Sequence, residues 1–192
     1  MNGAGFVPVL KTERGIILMA DFFDDLRDAD AITIQKYCSI LRDAFFHLYH
    51  MLGTEVVYGK AETVTVLQGE LFVFQPVIGD ENNYYTAGFA AEADVLCAAA
   101  EDLYEKLQAK LTMPDYGGTR EDAIDLFAEF LNTANGFCAL KFDSSFDLQL
   151  PDYRERAVLC APQIAVAPMK IFSHAVQVFF IYGVRSDFKE VV

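Results

Sequence analysis

Glu129, Asn132 and Gly136 follow one another at spacings of three and four within residues 119–138, so they share one face of a helix. At about 100° per residue, Ile124, Phe127, Leu131, Ala134 and Cys138 form an apolar stripe. Asp122, Asp125, Glu129, Asn132 and Gly136 point the opposite way, which leaves one face for the core and one for solvent or a partner. An amide and a carboxylate on adjacent turns, with a glycine one turn later, let another protein's backbone approach a side chain that orients water. That arrangement suits a phosphatase. Two alternatives stand beside it: a solvated helix face without chemistry, and a Gly136 that simply ends the helix in a left-handed cap.

The elements that must hold this face can be read along the chain. Residues 1–30 form an extension in which 6–10 and 15–19 are apolar runs joined at 11–14, a hairpin-like pattern that would cover a sheet edge. Acidic residues 21–30 lead into a helix over 31–52, with Tyr37, Ile40, Leu41, Ala44, Leu48, Met51 and Leu52 on its apolar face and Gly53 at its end. Strands are expected at 54–58, 61–67, 71–78 and 84–90, broken at Gly59, at Gln68-Gly69 and at 79–83, with a meander as the simplest topology. A helix over 91–111 stops before Pro114, and Thr119-x-x-Asp122 reads as the capping box of the next helix. Strands at 142–150, 158–166 and 171–184 finish the chain. Two rounds of helix and strands give an α+β fold, with helices packed on one side of a largely antiparallel sheet. The whole reads as a single compact unit, the extension 1–30 joined to a domain over 31–192.

The run Phe46-His47-Leu48-Tyr49-His50-Met51-Leu52-Gly53-Thr54-Glu55-Val56 resembles the long helix and Met-Leu-Gly turn that open CheX-type domains. Further on, Gly69-Glu70-Leu71-Phe72-Val73 and the strand at 84–89 follow in the expected order, and Glu129-Phe130-Leu131-Asn132-Thr133-Ala134-Asn135-Gly136 is similar to the Glu-x-x-Asn-x-x-x-Gly signature of the CheC/CheX/FliY family of chemotaxis phosphatases. The resemblance spans about residues 32–184. It implies that Asn132 positions the water attacking the aspartyl phosphate of a CheY-type response regulator in chemotaxis or two-component signalling. Glu129 would pair with that regulator's active-site lysine, with Asp125, Asn135 and Gly136 in the partner-facing surround. A loose phosphoryl-transfer transition state needs in-line positioning more than a strong base. An asparagine carbonyl can accept a hydrogen bond from water while its amino group faces a phosphoryl oxygen. The chain would need no cofactor of its own, because the magnesium ion would belong to the regulator. CheC-type members carry a second acidic-x-x-Asn helix. Here Glu92, Asp94, Glu101 and Asp102 are followed three residues on by Val95, Cys97, Tyr104 and Glu105, so CheX, with its single site and homodimeric sheet, is the nearer likeness. The alternative within the same fold is a non-catalytic adaptor that binds a signalling protein.

Composition narrows the remaining classes. The 192 residues are 53% hydrophobic and 14% aromatic, ample for one core. A net charge of −13 with no basic stripe argues against nucleic acid or an anionic membrane as partner. No signal-peptide pattern opens the sequence and no apolar run is long enough to span a bilayer, which suits a cytoplasmic protein. Cys38, Cys97, Cys138 and Cys160 lie far apart in apolar stretches and read as buried thiols in a reducing compartment. His47 and His50 stand at helical spacing, yet no carboxylate completes a zinc motif, and His174 falls within a strand pattern. Phosphate-binding and dinucleotide-binding glycine loops are missing.

Overall fold

The computed structural model describes residues 11–12, 15–16, 31–49, 55–78, 84–108, 117–139, 147–182 and 187–190. In chain order these form β1 (Lys11–Thr12), β2 (Gly15–Ile16), α1 (Ala31–Tyr49), β3 (Val56–Tyr58), β4 (Glu62–Ile78), β5 (Tyr84–Ala91), α2 (Ala93–Gln108), α3 (Arg120–Ala139), β6 (Asp147–Leu148), β7 (Asp152–Ile171), β8 (His174–Tyr182) and β9 (Asp187–Glu190).

The backbone of the sheet is the antiparallel pair β4 and β7, in register from Glu62↔Val166 to Phe74↔Asp152 with one shift between Val64 and Val66. β5 pairs with the second half of β4, β8 pairs with β5, and the end of β7 returns to β8, so the hydrogen-bonded path β4–β5–β8–β7 closes on itself. Closure buries both faces of the central strands, which is why Leu71, Phe72, Val73, Phe74 and Gln75 are consecutive buried residues without the alternation of a half-exposed strand. Leu71, Val73 and Val77 face the helices, while Phe72 and Phe74 face a second cluster with Ile164, Phe179 and Ile181. Phe188 of β9 caps that second cluster, 4.5 Å from the Phe74 ring.

Helices α1, α2 and α3 all contribute to the core on the first face, so the α+β arrangement with an antiparallel sheet is the observed one. Phe45 of α1 meets Phe130 of α3 with ring centroids 3.8 Å apart, and Phe127 meets Phe89 of β5 edge-on at 5.1 Å. Both helices therefore present aromatic side chains to the same seam. Each fully buried phenylalanine contributes about 1.5–3 kcal/mol relative to an exposed one. Helix ends are closed by side chains from nearby and afar. Thr119 and Asp122 form the capping box of α3, with Thr119 N donating to Asp122 Oδ2 at 2.9 Å and Asp122 N to Thr119 Oγ1 at 3.2 Å. At α2 the acceptor comes from the sheet, because Ala93 N donates to Glu70 Oε2 on β4 at 3.0 Å.

Several connections differ from the sequence expectation. No break occurs at Gln68-Gly69: β4 runs through it, and Gly69 is needed because a Cβ there would meet the Phe72 ring at 2.8 Å. The meander is replaced by the order β3-β7-β8-β5-β4-β6, in which β3 pairs with β7 rather than with its neighbour in sequence. β7 continues from Asp152 to Ile171 and turns at Phe172-Ser173 into β8. At the start of the chain Lys11–Thr12, in the stretch expected to connect two runs, pairs with Gly15–Ile16, which opens the second of them; 6–10 and 17–19 lie outside the described residues. Of the strand expected at 142–150, the described part is β6.

Candidate functional site

α3 is held by its apolar stripe: Ala123, Phe127, Phe130, Leu131 and Ala134 are fully buried. The opposite side carries Asp125, Glu129 and Asn132, all exposed, in successive turns. The sequence of α3 holds a single cation, Arg120, and it is engaged with Glu155 at 3.0 Å. The exposed face is therefore anionic. At the helix N-terminus Thr119 donates to the Asp122 carboxylate from both its backbone and its side chain, and these bonds hold that carboxyl below the usual range.

Gly136 is half-buried and lies within the helix, which runs on to Ala139, so it is not a terminating cap. A Cβ at Gly136 would have no atom within 4 Å, so the surface beside it is open.

Asn135 is a correction. Expected among the partner-facing residues, it is fully buried. It stands four residues after Leu131, about 40° away on the helix, and so turns toward the core. Its Oδ1 accepts from the Tyr37 hydroxyl at 2.9 Å and from the Tyr85 hydroxyl at 3.3 Å, and its Nδ2 donates to Gln75 Oε1 at 2.8 Å.

Gln75 is the residue that sequence reading missed. It is fully buried on β4, and its Nε2 donates to Asn132 Oδ1 at 3.1 Å and to the main-chain oxygen of Gln149 at 2.8 Å. A signal was present, since Gln75 is the one amide within the apolar run 71–78, and a buried polar group requires partners. The segment that supplies the Gln149 carbonyl is tied to β4 through Gln149 N donating to Pro76 O at 3.1 Å and through the pairing of β6 with Val77 and Ile78. Beyond it Leu150 is 88% exposed.

Other candidates lie elsewhere. His174 Nε2 sits 2.7 Å from Asp102 Oδ2, His47 is exposed on α1, and His50 lies outside the described residues. Burial pushes the Cys38 thiol up to about 12 and raises Cys97 as well. The side chain of Cys138 is outside the described set. Among the described residues no group of three His, Cys, Asp or Glu converges as a metal site, and no helix is long and apolar enough to cross a membrane. A cavity of about 900 Å³, lined in part by Glu70, Glu92 and Arg156, takes no residue from α3.

No family model and no curated protein matches the chain. Solved structures do match. The chemotaxis protein CheX of Desulfovibrio desulfuricans superposes with a TM-score of 0.56 over 77% of this chain and 97% of its own, at 11% identity. A chemotactic CheC-like protein of Shewanella oneidensis gives 0.55 over 78% and 96%, also at 11% identity. CheX of Borrelia burgdorferi, solved in complex with CheY, BeF3 and magnesium, gives 0.50 over 81% and 99%, at 11% identity. The chain thus has the fold of CheX and CheC-like chemotaxis proteins, with Glu129 and Asn132 side by side on an exposed helix face.

Proposed function

We propose that this chain is a phosphatase of phosphorylated CheY-type receiver domains, with Asn132 as the water-positioning group and Glu129 as the docking acid. The observation that carries the reading is the pairing of an exposed carboxylate and an exposed amide, one turn apart, on a helix fixed against the core of a CheX-like fold. Support also comes from the Borrelia neighbour, whose partner in its complex is CheY with BeF3 and magnesium. Asn132 is exposed, the space beside Gly136 is open and the cavity of about 900 Å³ takes no residue from α3, which favours a substrate presented by another macromolecule over a small molecule enclosed by a pocket.

In this reading the Asn132 carbonyl oxygen accepts a hydrogen bond from water, and the water oxygen forms a bond to phosphorus in line with the departing aspartyl oxygen, its protons leaving with the phosphate or to solvent. The phosphorus–oxygen bond to the aspartate breaks, releasing a carboxylate on the receiver and inorganic phosphate. Magnesium would be held by the receiver, not by this chain, and would supply charge neutralisation at the phosphoryl group. Glu129 pairs with a receiver lysine, and Asp125 extends the anionic surface around it. The protein would act in the cytoplasm, where such receivers work. Phosphate release from a phosphorylated receiver, with and without this chain, tests the proposal. A receiver that binds but decays at its own rate makes the chain an adaptor.

A further inference from the structure

We propose that Gln75 is a positioning residue for Asn132, which sets the direction in which the exposed amide points. The proposal rests on the reading of Asn132 as the group that orients water. Its starting point is a main-chain atom: the Gln149 oxygen can only accept, so the Gln75 side chain must turn its nitrogen toward it, at 2.8 Å. The same Nε2 lies 3.1 Å from the Asn132 side chain, and an amino group at that position would face another donor. Asn132 must therefore present Oδ1 to Gln75 and direct its Nδ2 hydrogens away.

At the other end Gln75 Oε1 takes a hydrogen from Asn135 Nδ2 at 2.8 Å, which leaves Asn135 Oδ1 to accept from Tyr37 and Tyr85. Every amide in the chain of bonds thus has one orientation, fixed from the Gln149 carbonyl outward. An asparagine side chain free in solvent samples a broad terminal torsion. Here that torsion is settled on folding, before any partner arrives, which is the preorganisation that positioning catalysis requires. Donation from Gln75 uses one lone pair of Asn132 Oδ1 and leaves the second for water, while it polarises the amide and strengthens its outward N–H donors.

The decisive experiment combines nuclear relaxation of the Asn132 side-chain amide with steady-state kinetics on a phosphorylated receiver, in wild type, Gln75→Met, Tyr37→Phe and Asn132→Ala. The wild-type Asn132 amide should be nearly as ordered as the backbone, with loss of order in Gln75→Met. Kinetically, Gln75→Met should lower kcat by roughly tenfold to a hundredfold with little change in KM. Combined with Asn132→Ala it should cost nothing more than Asn132→Ala alone, since the two act through one group. An Asn132 amide as mobile in wild type as a free side chain overturns the proposal even if Gln75→Met does not fold. A Gln75→Met protein with unchanged amide order and unchanged kcat also overturns it. Should no receiver be dephosphorylated by wild type, the functional reading fails separately, and the relaxation measurement still decides whether Gln75 fixes the amide.

Discussion

Tyr37 on α1 and Asn135 on α3 lie 98 residues apart in sequence and are joined by a buried hydrogen bond of 2.9 Å. The bond pins α3 against α1 on the side opposite its exposed acids, and it does so in the interior, where unpaired polar groups are costly. Tyr37→Phe removes one donor and should cost about 0.5–1.5 kcal/mol. Asn135→Ala removes the donor to buried Gln75 Oε1 and the acceptor shared by the Tyr37 and Tyr85 hydroxyls, three hydrogen bonds at once, and should cost about 1–3 kcal/mol. Denaturant titration of the variants checks the order: Asn135→Ala well below Tyr37→Phe. Equal stabilities would contradict the network.

The glycines of β5 and α3 separate two uses of a missing side chain. At Gly88 a Cβ would meet Val73 O at 2.5 Å, Phe74 Cβ at 2.7 Å and Phe179 Cε1 at 2.8 Å. Gly88→Ala should therefore destabilise by about 1–3 kcal/mol or more, since part of the obstacle is backbone. Gly136 has open space and helical surroundings, and Gly136→Ala should stabilise by about 0.5–1 kcal/mol. If a receiver backbone approaches there, the same substitution weakens binding while raising Tm. Thermal melts and receiver titrations of the two variants measure both effects.

The α3 capping box carries a pH signature. Hydrogen bonds from Thr119 lower the Asp122 carboxyl from its ordinary value. A depressed folded-state value means that the stabilisation is present above the unfolded carboxylate range, near pH 4, and is lost as pH falls through the folded value. The stability gap between wild type and Asp122→Asn should thus be full at neutral pH and close in acid. Thr119→Ala should cost about 1 kcal/mol. A gap that stays constant from pH 7 to pH 3 would count against the cap.

Cys38 offers a probe of the core. Its thiol is raised to about 12 by burial in α1, so it is protonated at any working pH and unreactive while the protein is folded. Because the unfolded thiol ionises near 8.5, this site's contribution to stability is full below that pH and declines as pH rises toward 12. Alkylation at pH 8 followed by mass spectrometry should leave Cys38 unmodified in native protein and label it in denaturant.

Much of the frame was legible because it is local. The apolar stripe of α3, the Thr119–Asp122 box and the helix-then-strand order follow from periodicity and short-range capping. The strand pairings were harder, because glycine reads as punctuation in a sequence. Gly69 was expected to end a strand, whereas it makes room for the Phe72 ring within a strand of 17 residues. Contacts at long separation left no local trace: Gln75 and Asn132 are 57 residues apart, and nothing near either one announces the other. Asn135 could have been placed by its angle to Leu131. Its neighbours in the motif pointed outward, and the angle was the better guide.

The phosphatase role of Asn132 and Glu129 is tested most directly by the rate of phosphate release from a phosphorylated CheY-type receiver with magnesium, measured alone and with wild type, Glu129→Ala or Asn132→Ala protein. Wild type should accelerate release, Asn132→Ala should lose roughly a hundredfold in kcat with binding retained, and Glu129→Ala should show a raised KM. Unchanged receiver decay in the presence of saturating wild-type protein, or full acceleration by Asn132→Ala, would contradict it.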